Sequence, residues 1–396
     1  MKLTVIKALN ERIGKAAVSA FSARSKSPGD LVDIGDVVFG EEINGNSLWY
    51  QSANGLYYYW SGGFKETNFQ LGSRLLSDFT GQQQFTILTQ LKEIVTPALK
   101  NEVAYFSTCG IGRKNYGDQQ PLCLIVYVSK KADPSALSEM VVGNILYRGI
   151  RILSDVTELR PVSHHDYTQY SDAFMNSLQG DNPPRIGEGI KGSKELGTIS
   201  IRAFKDNALG QAEAYTLSCY HVLCSDLLNA PTAVLTCSSA DNQQSWFAVS
   251  NGSTQKLFPV TEGAYSNQLD YAAVKLNTEF DIQNKLEAVL VSDFFHFDEM
   301  HLLTDTPTLV KTIGKTSFLQ TGKVLSILDS PAIPPVGQVF SNVVCCEKIS
   351  MPGDSGAPVI EVNSGKLVGF VIAGDGQTVS YVIPFYNLFT FKNFYL

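Results

Sequence analysis

The chain has 396 residues, of which 44% are hydrophobic and 17% charged, a globular composition long enough for about two or three domains. Its 31 basic and 38 acidic residues give a formal net charge of −7, which argues against a nucleic-acid partner because phosphate binding needs surplus Lys and Arg. The sequence has no apolar run of membrane-spanning length and no signal-peptide core. Its seven cysteines include no CxxC pair. We therefore expect a cytoplasmic protein with reduced thiols and without a membrane partner, metal or other cofactor.

Residues 1–75 contain short runs that are typical of β-strands. Leu31–Phe39 alternates, and Ser47–Tyr50 and Gly55–Trp60 flank a Ser-Ala-Asn-Gly hairpin signal. These runs predict a small β-barrel. The segment resembles bacterial SH3-like domains through Ala8-Leu9-Asn10-Glu11-Arg12, Pro28-Gly29-Asp30 and Trp49…Tyr59-Trp60-Ser61-Gly62-Gly63. The resemblance implies a binding or docking module, and the alternative is that the aromatic side chains only fill a small core.

Residues 76–165 predict a small α+β accessory domain. Phe85–Val95 has apolar residues at helical spacing and ends before Pro97. The further runs predict strands at Val103–Cys109, Leu122–Val128 and Asn144–Val156, and a short helix at Ser135–Met140. We find no catalytic set here and expect the two N-terminal domains to recruit targets or to regulate the rest of the chain. The polar stretch 166–194 contains Asp-Asn-Pro-Pro and is typical of a linker.

Residues 195–396 have a different pattern, in which short apolar runs are interrupted by Gly, Asn, Asp and Pro at fairly regular intervals. Gly197–Phe204, Asp270–Leu276 and Leu367–Ala373 are examples. Many short strands without intervening helices predict an all-β barrel or sandwich.

Three residues of this segment are candidates for nucleophilic catalysis. A serine hydroxyl needs an imidazole to accept its proton and a carboxylate to hold that imidazole in the right tautomer. Ser355 lies in Gly-Asp-Ser-Gly, a turn that can aim the amides of Gly353 and Ser355 at one oxyanion. His221 follows an apolar strand, and Asp270 precedes another. The order is His, Asp, Ser, which is the order of a catalytic triad on a β-rich scaffold.

At these motifs residues 195–396 resemble a trypsin-like peptidase domain of the two-barrel chymotrypsin fold. The matching blocks are His221-Val222-Leu223, Asp270-Tyr271-Ala272-Ala273-Val274 and Gly353-Asp354-Ser355-Gly356. More narrowly, the chain resembles bacterial and plant peptidases related to the plant narrow-leaf protein, through Gly197-Thr198-Ile199, 311–316, 321–324, 367–374 and, in the middle segment, 122–131. The resemblance implies a serine endopeptidase that acts on a protein substrate and needs no cofactor. Because an intracellular peptidase must be restrained, we expect one dedicated target or a regulatory sensor as a partner.

The resemblance also assigns the substrate-binding residues. Ile349 stands six residues before Ser355, where trypsins carry an acid, and this predicts a preference for an apolar or small residue before the scissile bond. Ile372, Ala373 and Gly374 correspond to the strand that lines the substrate. Ile372 offers no hydroxyl to support the triad carboxylate, and Tyr220 before the histidine is bulkier than usual.

Two rival interpretations concern the activity. An α/β-hydrolase is excluded because its histidine follows the nucleophile, and no histidine follows Ser355. A catalytically silent binding or sensor protein of the same fold stays open. So does an activation cut at Arg185-Ile186 that would pair a new N-terminus with Asp354.

Overall fold

The computed structural model of the chain describes residues 1–103, 105–114, 121–130, 144–164, 186–192, 194–228, 234–247, 256–276, 282–305 and 307–396. The chain divides into two compact units, Met1–Leu159 and Arg160–Leu396. The first unit joins the two segments that the sequence predicts as separate N-terminal domains. The helix predicted at Ser135–Met140 and most of the predicted linker 166–194 lie outside the described residues. No helix among the described residues is both long and apolar enough to cross a membrane.

Six antiparallel strands open the first unit. They are β1 (Lys2–Thr4), β2 (Leu9–Ile13), β3 (Phe21–Lys26), β4 (Leu31–Ile43), β5 (Asn46–Ser52) and β6 (Tyr57–Trp60), in the sheet order β1-β4-β5-β6-β2-β3. Trp49, Tyr50 and Tyr59 are buried, and the Tyr50 ring packs edge-on to Phe64 at 5.1 Å. This burial supports the alternative that the aromatic side chains fill a core. The SH3-like identity of the segment stays a prediction.

The rest of the first unit combines one long helix with a mixed sheet. The elements are β7 (Gln70–Leu75), α1 (Gly81–Glu102), β8 (Phe106–Arg113), β9 (Leu122–Val128), β10 (Asn144–Tyr147) and β11 (Gly149–Glu158). The prediction that the helix ends before Pro97 is wrong, because Pro97 lies inside α1. Proline deprives the Glu93 carbonyl of its donor, and Glu93 is exposed, so water can replace that hydrogen bond.

One sheet of the second unit carries the histidine and the aspartate. Its strands are β13 (Gly189–Lys191), β14 (Leu196–Thr198), β15 (Arg202–Asp206), β16 (Ala212–Ser218), β17 (Leu235–Ser238), β18 (Gln244–Phe247), β19 (Lys256–Tyr265) and β20 (Asp270–Lys275). The order is β14-β13-β18-β19-β20-β16-β15, and β17 pairs with β19. The predicted linker boundary is therefore too late, since β13 falls within 166–194. Three residues with one buried isoleucine, Ile190, are too short a run to show alternation.

The other sheet of the second unit is a closed barrel that carries the serine. Its strands are β23 (Leu309–Gly314), β24 (Phe318–Leu328), β25 (Val343–Glu347), β26 (Pro358–Glu361), β27 (Leu367–Gly374) and β28 (Val379–Pro384). They run β24-β23-β26-β27-β28-β25, and pairing of β24 with β25 closes the ring. β12 (Ser163–His164) adds to β27. The remaining elements are β21 (Lys285–Leu286), β22 (Val289–Leu290), α2 (Tyr220–Leu223), α3 (Leu302–Asp305) and α4 (Tyr386–Lys392). The second unit is thus mainly β, as predicted for 195–396.

Candidate active site

Neighbouring strands of the first sheet bring His221 and Asp270 together. β16 ends at Ser218, and His221 follows in the one-turn helix α2. Asp270 opens β20, the antiparallel neighbour of β16. Asp270 Oδ2 lies 2.6 Å from Nδ1 of His221, and Oδ1 accepts from the His221 backbone N–H at 3.2 Å. Because a carboxylate only accepts, Nδ1 carries the proton and Nε2 is the basic nitrogen.

Asp270 is held as a carboxylate although it is fully buried. Burial alone would raise its pKa, but the charge of His221 and its hydrogen bonds hold the pKa of Asp270 below the usual value. The sequence leaves open which group supports this carboxylate, since Ile372 has no hydroxyl. The structure gives that role to the backbone N–H of His221. The bulky Tyr220 is accommodated by a hydrogen bond from its hydroxyl to the Thr236 carbonyl at 3.3 Å.

Ser355 lies in a turn that can form only with glycine on its C-terminal side. Gly356 has a φ of +93°, and a Cβ there would lie 2.4 Å from the Thr198 carbonyl oxygen and 2.5 Å from Ser218 Oγ. The turn therefore packs against the end of β16, three residues before His221. The Thr198 N–H donates to the Ser355 carbonyl at 2.8 Å, and the Thr198 hydroxyl donates to the Gly353 carbonyl at 3.0 Å. These contacts fix the serine turn of the barrel onto the sheet that carries the histidine.

Three polar groups of this turn form no hydrogen bond with the described residues. Ser355 is fully buried, and its Oγ forms no hydrogen bond with any described residue, His221 included. The backbone N–H groups of Gly353 and Ser355 likewise donate to no acceptor within the described part of the chain. Both amides are therefore free to bind an oxyanion, and the hydroxyl is free to exchange its proton with a base.

Asp354 is the buried acid of the same turn. Its carboxylate accepts from the backbone N–H groups of Thr316 at 2.7 Å, Ser317 at 3.2 Å and Met351 at 2.8 Å. Burial raises the pKa of Asp354, and these donors oppose that shift. The carboxylate is thus satisfied without a new N-terminus, which argues against the activation cut at Arg185-Ile186. Arg185 itself lies outside the described residues.

The four residues predicted to bind substrate are all buried. Ile349 donates its backbone N–H to Ser380 Oγ at 3.0 Å, and no part of its side chain is exposed. Ile372, Ala373 and Gly374 form the end of β27. Their binding role stays a prediction.

His164, which the sequence places at the end of the predicted accessory domain 76–165, joins the site. Its ring stacks on that of His221 with centroids 3.9 Å apart and planes 26° apart. Its Nδ1 lies 3.1 Å from the Ile372 carbonyl oxygen, and its Nε2 lies 3.1 Å from the Tyr265 hydroxyl. The only sequence signal was the pair His164-His165 in a chain with five histidines.

His164, His221 and Asp270 also form the one His/Cys/Asp/Glu cluster of metal-site dimensions in the described residues, with ligand atoms within 4.8 Å of one another. The geometry does not fit a metal. Two stacked imidazoles present their faces to each other and cannot both direct a lone pair at one ion. Nδ1 of His221 is moreover bonded to Asp270. The cluster is better described as a His–Asp pair covered by a second histidine.

Comparison with known proteins gives one family match. The Trypsin family model matches residues 211–394, which include the His–Asp pair and the serine turn. Among curated proteins, no sequence relative was found.

Similar solved structures include three bacterial proteases. Thermobifida fusca Protease A is 12% identical, with a TM-score of 0.35, over 54% of this chain and 98% of its own. Nocardiopsis protease is 16% identical, with a TM-score of 0.37, over 54% and 99%. Cellulomonas bogoriensis chymotrypsin is 14% identical, with a TM-score of 0.35, over 53% and 96%. We base no functional assignment on these similarities. The family-model match and the His–Asp pair together support a trypsin-like peptidase domain in the C-terminal unit.

Proposed function

We propose that this protein is a serine endopeptidase that hydrolyses internal peptide bonds of a protein substrate. Ser355 is the nucleophile, His221 the general base and then the general acid, and Asp270 the orienting carboxylate. The observation that carries the proposal is the 2.6 Å contact between Asp270 and Nδ1 of His221, because it fixes the tautomer that leaves Nε2 able to take a proton.

The proposed reaction uses only groups of this chain and water. Ser355 Oγ bonds to the substrate carbonyl carbon while its proton moves to Nε2 of His221, and the carbonyl electron pair moves onto oxygen. The amides of Gly353 and Ser355 bind that oxyanion. The intermediate then collapses, and the imidazolium protonates the departing amine. Water repeats the addition at the acyl-enzyme and releases the carboxylic acid and the free serine.

A fluorophosphonate probe tests the proposal, because it labels only a serine that a neighbouring base activates. We expect covalent labelling of the full-length protein at Ser355, and none in Ser355→Ala. Ser330→Ala is the matched control, since Ser330 is also a buried serine of the second unit and lies outside the site. Labelling that persists in Ser355→Ala contradicts the assignment, and so does a failure of both the wild type and His164→Gly to label.

The rival function is a catalytically silent binding protein that keeps the peptidase fold. The specific observation that favours it is the burial of Ser355, whose hydroxyl forms no hydrogen bond within the described residues. Hydrogen bonds of catalytic groups are often absent in unliganded enzymes and form only with substrate. The same labelling experiment separates the two functions.

We further propose a preference for an apolar or small residue before the scissile bond. The buried, uncharged Ile349 supports it, because an Arg or Lys side chain would meet no counter-charge there. Cleavage of a peptide library by the full-length protein tests this, and a dominant Arg or Lys preference contradicts it. Four further proposals have other grounds. The narrow-leaf relationship rests on the sequence resemblance, and a cytoplasmic location rests on the cysteine usage. Regulation by the N-terminal unit rests on its lack of a catalytic set, and a dedicated target or sensor would restrain an intracellular peptidase.

A further inference from the structure

The edge of β27 opposite β28 leads directly to the nucleophile. β26 pairs with the first half of β27, as far as Phe370. At the next residue, Val371, the backbone exchanges hydrogen bonds with the serine turn: Gly356 N–H donates to the Val371 carbonyl at 2.8 Å, and Val371 N–H donates to the Ala357 carbonyl at 2.9 Å. Beyond that point the edge continues through Ala373 and Gly374.

That continuing edge is where an extended peptide could reach Ser355. Proteins commonly bind extended peptides by adding them as a strand to a sheet edge. The pairing of β27 with β28 shifts register between Val371 and Ala373, and past this bulge Ala373 and Gly374 form the edge of β27 that lies opposite β28. In this structure the position is already filled, because Ser163 pairs with Gly374 and His164 with Ala373, antiparallel to β27.

The side chain of His164 fastens this short strand over the catalytic imidazole. A carbonyl can only accept, so His164 Nδ1 donates to Ile372 and the Tyr265 hydroxyl donates to Nε2 when the ring is neutral. The ring covers one face of His221. His221 is only 3% exposed and Ser355 not at all, so a substrate carbonyl has no access to either.

We propose that Ser163–His164 occupies the strand position of the substrate and holds this enzyme in a self-inhibited state. The inference rests on the proposed peptidase function and adds its regulation and one requirement on its substrate. The substrate competes with β12 for the edge of β27. A substrate displaces β12 best when its extended segment carries a planar, hydrogen-bonding side chain. That side chain would take the place of the His164 ring on His221. Two paired residues form a short strand, and such a strand can exchange without unfolding either sheet.

Labelling rates test the proposal on the full-length protein. We expect His164→Gly to react with a fluorophosphonate at Ser355 at least about tenfold faster than wild type, because one ring stack and two hydrogen bonds are lost. Tyr265→Phe keeps the ring and removes one hydrogen bond, so we expect a gain of roughly fivefold. His301→Gly, a histidine outside the site, should react like wild type. Thermal unfolding of each variant shows whether it is folded.

Two outcomes separate the inference from the function on which it rests. If wild type labels as fast as His164→Gly, the self-inhibition is wrong and the peptidase function stands. If no variant labels, both are wrong. Hydrogen exchange gives a readout that needs no activity. Since neighbouring residues of an antiparallel strand bond to the partner alternately, one of the two amides of 163–164 should be protected in Ser355→Ala, and a segment in which both exchange at the rate of an unstructured peptide overturns the inference.

Discussion

Replacing Asp270 by asparagine tests the charge arrangement on which the proposed chemistry depends. Both carboxylate oxygens accept from His221, one from Nδ1–H at 2.6 Å and the other from the backbone N–H at 3.2 Å. An asparagine side chain at this position would offer one oxygen and one NH2 group, so one donor would face another donor. The backbone N–H cannot move its proton, whereas the imidazole can. The ring therefore changes tautomer, and a proton on Nε2 prevents it from acting as a base.

We expect Asp270→Asn to lower kcat by about 10⁴, the loss known for this change in a Ser-His-Asp triad, which corresponds to about 5 kcal/mol of transition-state stabilisation. Fold stability should change much less, because asparagine has nearly the same volume. The assay is the rate of peptide hydrolysis in parallel with fluorophosphonate labelling. Asp298→Asn, at an exposed aspartate of the same unit, is the control. A variant that keeps a tenth or more of wild-type activity refutes the tautomer argument.

Two further predictions concern the serine turn and a surface ion pair. Gly356→Ala should abolish labelling and lower the free energy of unfolding by about 2 kcal/mol or more, because its Cβ would lie 2.4 Å from a carbonyl oxygen. Gly210→Ala is the control, since Gly210 also has a positive φ but nothing lies within 4 Å of the added Cβ. In urea unfolding this control should lower the free energy of unfolding by about 1 kcal/mol. Lys366→Met removes the partner whose hydrogen bonds lower the pKa values of Glu299 and Asp293. A lowered folded-state pKa stabilises only above the unfolded value, so the variant should lose about 0.5–1 kcal/mol at pH 7 and nothing near the pH at which both carboxyl groups are protonated in the folded and the unfolded state. An equal loss at both pH values contradicts this reasoning.

Local sequence patterns predicted most residues of the candidate site, but they did not predict that His164 covers it. His221, Asp270 and Ser355 each stand at the end of a strand or in a glycine turn, and such features are readable along the chain. Gly356 could be predicted for the same reason. His164 could not, because its role comes from pairing with Ala373, more than two hundred residues away. A two-residue strand has no periodicity of its own.

Boundaries failed where solvent or tertiary contacts outweighed local preference. Pro97 predicts a helix end, yet α1 continues to Glu102, and Leu99, past the proline, is buried. Gly189–Lys191 reads as linker, yet it pairs with strands on both sides. One of these partners, β14, follows within a few residues, and the other, β18, is distant in the sequence.

A peptidase of this architecture can be kept inactive either by an unassembled oxyanion turn or by a blocked substrate edge. The Asp354 carboxylate already receives three backbone N–H groups, so a new N-terminus made by a cut before Ile186 would find its acceptor occupied. Assembly of the turn then does not await proteolysis. The block at the edge of β27 is of another kind. Non-covalent contacts hold β12 there, so its release requires no peptide bond to be cut. Control by displacement is therefore graded and reversible. Because β12 competes with substrate, His164→Gly should lower the apparent KM for an extended peptide with little change in kcat, whereas a cut before Ile186 should not raise the activity of the wild type.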